Sequence, residues 1–170
     1  RTDDARAAVA TGPNAACDTE TIEVNWKSAV GGLSTLQFYH GAIYPGGTAY
    51  LGGAQDNGGA RGADPSGPRA WTTLTTGDGG RSVIDSLDPN IVYIAAQNFD
   101  LDKSVDGGGS FRVSIRGITE PKSNFAFVAP FAGDPNDSRR LWTAGNRIWT
   151  SANSADDWTA ASPQLTVNNF

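Results

Sequence analysis

Two aspartates stand where a loop could carry acid and base chemistry: Asp56 in Gln55-Asp-Asn-Gly58 and Asp78 in Gly77-Asp-Gly-Gly80. Cleavage of a glycosidic bond uses one carboxyl group as acid and a second as base or nucleophile, held about 5–9.5 Å apart across the sugar. Glycine-rich segments of this kind reach the edge of a fold, so Asp56 and Asp78 are the candidates for a catalytic pair. Aspartate is equally at home in turns, where its carboxylate accepts backbone N–H groups. Neutralising either residue separates the two roles, since only a hydrolase would lose turnover.

Asp100, Asp102 and Asp106 fall at even spacing in Phe99-Asp-Leu-Asp-Lys-Ser-Val-Asp-Gly107. This resembles a calcium loop in part, with Asp100 and Asp102 as candidate ligands, but the run Asp-x-Asp-x-Asp-Gly and a distal Glu are missing. A structural calcium is therefore the one cofactor the sequence suggests. One His and one Cys cannot build a structural zinc site within one chain. His40, in Phe38-Tyr-His40, has no serine or cysteine motif around it that would make a nucleophilic triad, and reads as a hydrogen-bonded strand residue. Cys17 has no partner in the chain for a disulfide. Trp142 and Trp149 flank Gly145-Asn-Arg147 on what read as neighbouring strands, which would suit either a sugar-stacking platform or packing between sheets.

The elements that would position these residues are read from the octapeptide Ser104-Val-Asp-Gly-Gly-Gly-Ser-Phe111, which fits Ser-x-Asp-x-Gly-x-Ser/Thr-aromatic, the hairpin signature called the Asp box. Asp106 can accept N–H groups of the turn that follows, and the glycines supply its backbone freedom. Phe111 starts the returning strand and is placed to enter a core, where an aromatic side chain contributes about 1.5–3 kcal/mol. Ser104, Asp106, Gly108 and Phe111 are therefore structural. The frame returns 47 residues later in Ser151-Ala-Asn-Ser-Ala-Asp-Asp-Trp158, with Ser151, Asn153, Ala155 and Trp158 in the corresponding places.

Aromatics recur at 26, 71, 111 and 158, and a second register keeps the same period: the two Asp-Pro-Asn turns, at 88–90 and 134–136, are 46 residues apart. In the repeat around the intact box, 81–85, 90–97, 101–105 and 110–114 read as four short strands. No stretch shows helical spacing of apolar residues. A four-stranded antiparallel unit repeating every 40 to 47 residues is the profile of a β-propeller blade. The expected fold is all-β. Its organisation is the end of a preceding blade with an inserted loop over 1–34, a blade over 35–74, a blade with the intact box over 75–122, and a blade with the degenerate box plus a tail over 123–170. About three blades and part of a fourth do not close a ring of four to eight. The partners expected for the open faces are remaining blades of a longer chain or copies of the chain itself.

A net charge of −5, with basic residues scattered along the chain, argues against nucleic acid as a partner. No apolar stretch approaches the 18 residues of a membrane span. The chain opens on Arg-Thr-Asp-Asp, without the pattern of a signal peptide. This is expected of a chain from which a signal has been removed or, preferably, of a piece of something longer.

Gln37-Phe-Tyr-His-Gly-Ala-Ile-Tyr-Pro45, Leu51-Gly-Gly-Ala-Gln-Asp-Asn-Gly58, Gly77-Asp-Gly-Gly80, Asp85-Ser-Leu-Asp-Pro-Asn90 and the box at Ser104 together resemble secreted Asp-box propellers. That group includes bacterial sialidase-type repeat proteins, xyloglucanase-type glycoside hydrolases and sortilin-type ectodomains. The resemblance covers about 35–162. It implies an extracellular scaffold or a module binding a glycan or protein ligand. Alternatives are part of a polysaccharide hydrolase with two Asp carboxylates as acid and base, or a self-assembling structural protein. Sialidase chemistry would ask for an arginine cluster and an activated tyrosine that the sequence does not assemble.

Overall fold

Short runs such as Val92–Ala96 and Ile148–Ser151, set between turns that carry Gly, Pro, Asp or Asn, favour short antiparallel strands. The computed structural model describes residues 36–165. The segment 1–34, with Cys17 and Trp26, lies outside the described residues. Among the described residues twelve strands follow in chain order. The first sheet holds β1 (Phe38–Ile43), β2 (Ala49–Ala54), β3 (Gly58–Ala63) and β4 (Thr72–Thr73). The second holds β5 (Gly79–Ile84), β6 (Val92–Ala96), β7 (Asp100–Ser104) and β8 (Arg112–Val113). The third holds β9 (Phe131–Asp134), β10 (Asp137–Ala144), β11 (Ile148–Ser151) and β12 (Thr159–Ala160). Each is a four-stranded antiparallel meander with its strands in sequence order. Helical structure among the described residues consists of three-residue 3-10 turns. The fold is all-β and built of propeller-type blades.

Strand register makes the three blades comparable residue by residue. Tyr50 pairs with Gly62, Val92 with Ser104 and Leu141 with Ser151, one residue on from the third-strand positions Arg61, Lys103 and Thr150. Those three pair in turn with Thr72, Arg112 and Thr159 on the fourth strands. Trp71, Phe111 and Trp158 each stand just before the fourth strand. The turn of the first blade, through Asp64-Pro-Ser66, is two residues longer than the other two.

The turns at 104–111 and 151–158 share one hydrogen-bond pattern. Ser104 Oγ donates to Asp106 Oδ1 at 2.7 Å, and Gly108 N–H donates back to Ser104 Oγ at 2.8 Å. Ser151 Oγ donates to Asn153 Oδ1 at 2.9 Å, and Ala155 N–H donates to Ser151 Oγ at 3.0 Å. The N–H four residues past the acid or amide closes each loop: Ser110 onto Asp106 at 2.9 Å, Asp157 onto Asn153 at 3.0 Å. The last polar pair runs in opposite senses. Ser110 Oγ donates to Asp106 Oδ2, whereas Asn153 Nδ2 donates to Asp157 Oδ2. Ala155 occupies the left-handed region at φ 63°, where the first turn has Gly108. Hydrogen bonds from Ser104, Ser110 and the Gly109 N–H hold the Asp106 carboxyl well below its usual range.

Alternate residues of a strand face opposite sides of its sheet, so the second blade packs on the first with one face and on the third with the other. Between the second and third blades lies an aromatic core. Phe99 stacks on Phe125 at 5.6 Å and meets Phe131 and Trp158 edge-on, both at 5.5 Å. Tyr93, Leu101, Leu141 and Trp149 complete it. The buried Trp158 donates its indole N–H to the Ser114 carbonyl at 2.9 Å. Between the first and second blades, Leu51, Val92 and Ile94 pack with Leu74 and Phe111. At the glycines of β2 and β5 that contact is backbone on backbone. A Cβ on Gly53 would run into the Gly79 and Gly80 main chain, and one on Gly79 into the Gly58 carbonyl.

Candidate functional site

The turns joining second to third strands and the segments leading into first strands meet at one end of the blades, and polar side chains collect there. In the β2–β3 turn Asp56 takes the left-handed conformation at φ 58°, and Asn57 Nδ2 donates to the Gln55 carbonyl at 2.8 Å. Asp56 N–H donates to Asp78 Oδ1 at 2.9 Å, and Asp78 N–H donates to Gln97 Oε1 at 3.3 Å. Gln97 lies in the β6–β7 turn, whose Asn98 donates its N–H to the Phe127 carbonyl and its side-chain amide to the Phe125 carbonyl, both at 3.1 Å. At the other side, Gln55 N–H donates to the Gln37 carbonyl at 2.9 Å. Tyr39, near the start of β1, meets the exposed ring of Phe127 edge-on at 6.2 Å. A continuous rim therefore runs from Gln37 and Tyr39 through Gln55, Asp56, Asp78, Gln97 and Asn98 to Phe127.

The structure thus brings Asp56 and Asp78 together, 22 residues apart in sequence. The joining bond uses the backbone of one and the carboxylate of the other. By register Asn98 is the counterpart of Asp56, and its N–H finds a main-chain carbonyl on the segment entering the next blade. Asp78 fills in one blade junction the place that a peptide oxygen fills in the next, which is a fastening role.

Asp100 and Asp102 do not converge with Asp106. Asp100 pairs with Lys122 at 2.8 Å, and Asp106 is engaged within its own turn. Burial, with the Asp100 charge nearby, pushes the Asp102 carboxyl upward. Among the described residues no group of three or more His, Cys, Asp or Glu side chains could hold a metal ion. His40 Nδ1 accepts the Ser82 N–H at 3.3 Å, tying the first strands of neighbouring blades. Burial and the Arg81 charge lower its pKa, which favours the neutral imidazole that this bond requires.

Trp142 and Trp149 do not form one platform. Trp142 pairs with Thr150, and Trp149 with Thr143; strand alternation sends the two rings to opposite faces. Trp149 is in the core between blades, and Trp142 stays on the outer face of the third.

Two polar anchors were not read from the sequence. Glu120, in the segment leading to β9, accepts the Asn146 N–H at 2.6 Å, the Trp149 indole N–H at 2.8 Å and the Asn124 side-chain amide at 3.2 Å. Lys103, 4% exposed, reaches Asp156 in the turn of the next blade at 3.0 Å, and Arg112 shares that carboxylate. Arg61, the counterpart of Lys103, reaches the Gly107 carbonyl at 2.8 Å. A basic residue on a third strand two blades in succession is the signal that could have revealed this contact.

Neither family models nor curated proteins match the chain. Solved structures do. The GH74 xyloglucanase from Xanthomonas campestris superposes with a TM-score of 0.54 at 16% identity, over 75% of this chain and 19% of that one. The GH74 enzyme from Niastella koreensis gives 0.56 at 14%, over 77% and 24%. A functionally unknown protein from Desulfotomaculum acetoxidans DSM 771 gives 0.52 at 15%, over 81% and 44%. The chain spans about a fifth to under a half of these neighbours, and the likeness is one of fold.

Proposed function

We propose that the chain is a segment of a secreted Asp-box propeller working as a structural and glycan-binding module, with its ligand at the rim between Tyr39 and Phe127. The observation that carries this reading is the continuity of the rim across blades. Carboxylate and amide groups of Asp56, Asp78, Gln97 and Asn98 run beside an aromatic pair with an exposed ring. Sugars present apolar C–H faces and equatorial hydroxyls together, and a site for them combines aromatic surface with a few placed polar groups. The turns at 104–111 and 151–158 are read as Asp boxes on the strength of their shared hydrogen bonds. An extracellular location rests on the resemblance to secreted propellers, and no described helix is long and apolar enough to cross a membrane.

A hydrolase is the second reading, favoured by the xyloglucanase among the structural neighbours. Against it stands the Asp56–Asp78 contact, which joins the two residues on one rim, whereas hydrolysis needs carboxyl groups flanking a gap that admits the sugar. The test is calorimetry with xyloglucan oligosaccharides alongside an assay for released reducing ends. Binding without turnover, weakened by Tyr39→Ala, supports the module. Turnover abolished by both Asp56→Asn and Asp78→Asn supports the hydrolase. Neither binding nor turnover sinks the glycan reading and directs the search to a protein ligand.

A further inference from the structure

The junction between the first and second blades repeats the one between the second and third, with one group missing. Lys103, on the third strand of the second blade, ends on the Asp156 carboxylate in the 151–158 turn of the next blade. Arg61 is its register counterpart, since Arg61 pairs with Thr72 and Lys103 with Arg112 on the respective fourth strands. Counted from the leading serine of each turn, the place of Asp156 falls to Gly109 in the 104–111 turn. That turn therefore offers Arg61 no carboxylate at the corresponding position, and Arg61 Nη1 donates to the Gly107 carbonyl at 2.8 Å. A neutral oxygen engages one N–H of the guanidinium and leaves its charge uncompensated. The ion pairs among the described residues do not include Arg61.

Beside this guanidinium lies an open cavity of about 420 Å³, lined by Tyr44, Thr48 and Arg61 of the first blade and by Pro89, Asn90 and Gly107 of the second. It belongs to the junction of two described blades, at the end of the first sheet opposite the Asp56 turn. The Tyr44 hydroxyl is buried and has no hydrogen-bond partner. Burial pushes the phenol up, against the pull of the Arg61 charge, so at neutral pH it is an O–H donor. The neighbouring Arg61 carries donors only and cannot accept that proton. No carboxylate lines the cavity. Asp88, next to Pro89, is engaged by the N–H and the side-chain amide of Asn90, both at 3.0 Å. A buried hydroxyl donor and an uncompensated cation thus share one cavity that holds no acidic acceptor.

We propose that this cavity binds an oxyanion, a carboxylate or sulfate group, which takes from Arg61 and the Tyr44 hydroxyl the hydrogen bonds that Asp156 takes from Lys103 and Arg112 at the next junction. A guanidinium meets two oxygens of such a group with two parallel N–H bonds. The cavity is larger than a bare anion and falls within the range of small-molecule sites. An acidic sugar or another organic acid of that size fits it, with the anion as the group recognised. The site lies apart from the rim and is independent of the glycan reading there.

The experiment is calorimetry on the full chain with sodium glucuronate, sodium sulfate and glucose, the ionic strength held constant with chloride. Both anions are expected to bind and glucose is not. A higher affinity for glucuronate identifies an organic acid as the occupant; an affinity for sulfate as high or higher identifies an inorganic oxyanion. Arg61→Gln is expected to lower anion affinity by about tenfold or more, and Tyr44→Phe by about two- to tenfold. Tyr44→Phe also has a readout without ligand. Because it deletes an unpaired buried hydroxyl, its urea midpoint is expected to equal or exceed that of the parent. Absence of binding by both anions, glucose binding as well as glucuronate, an affinity that either variant leaves unchanged, or a lowered midpoint for Tyr44→Phe overturns the inference.

Discussion

Asn153→Asp would bring the 151–158 turn closer to the sequence of the 104–111 turn, and the structure makes it a destabilising change. In the 104–111 turn Asp106 receives the Ser110 hydroxyl at 2.7 Å. The corresponding place in the 151–158 turn is held by Asp157, an acceptor, and Asn153 Nδ2 supplies the donor at 3.4 Å. A carboxylate at 153 would face the Asp157 carboxylate at that separation. Two unit charges so placed in water repel by about 1.2 kcal/mol, reduced by roughly a third at physiological salt. The lost amide bond adds about 0.5–1.5 kcal/mol, giving a cost of about 1–2 kcal/mol at neutral pH. Arg116 pairs with Asp157 Oδ1 at 2.7 Å, and its charge offsets part of the repulsion, which favours the lower end of that range. Repulsion raises the pKa of the new acid in the folded state. The charge penalty is therefore complete above that raised value and disappears below the unfolded value of about 3.9. Urea denaturation followed by tryptophan fluorescence, at pH 7 and below pH 4, measures both limbs. Asn153→Asp with Asp157→Ser restores a hydroxyl donor and is expected to recover the loss. An unchanged midpoint at pH 7 for the single variant, or a double variant no better than the single, would refute the reasoning.

Gly53→Ala places a methyl group against the Gly79–Gly80 main chain, which cannot rotate away as a side chain can; a loss of about 1–3 kcal/mol in urea is expected, and a neutral result would mean that the first two blades do not abut there. Glu120→Ala strands the buried indole N–H of Trp149 and the Asn146 N–H; thermal denaturation is expected to report about 2–3 kcal/mol, with Glu120→Gln recovering part. Lys103 is the main cause holding the Asp156 carboxyl below its ordinary value of 3.8, with Arg112 adding to it. A lowered folded pKa contributes stability that is present above pH 3.8 and lost as pH falls through the folded value. Asp156→Asn is expected to flatten that acid limb in a pH series of urea midpoints, and an unaltered limb would assign it to other groups.

Local chemistry was legible where its partners are neighbours in the chain. The two Asp-Pro-Asn turns were visible as repeats, and in both the aspartate accepts the N–H two residues on: Asn90 onto Asp88 at 3.0 Å, Asn136 onto Asp134 at 2.9 Å. The strands of the second blade lie within two residues of their expected ends. The strand at 110–114 contracted to Arg112–Val113 because Ser110 is spent on closing the turn. The Trp142–Trp149 pair shows where such reading stops, because a platform depends on which face each ring takes, and that is set by the β10–β11 register, in which Trp142 opposes Thr150 and Trp149 opposes Thr143.

The sequence by itself determined the all-β class, the repeat and the turns, since these follow from hydrogen bonds spanning two to four residues and from the alternation of side chains along a strand. Only the tertiary structure decided that Asp56 meets Asp78, that Lys103 reaches Asp156 across 53 residues, and that Glu120 anchors the β10–β11 turn and Trp149. Those contacts form because stacking the sheets brings the end of one blade against the turn of the next, and no local rule on spacing encodes which side chains that stacking will bring into hydrogen-bond distance.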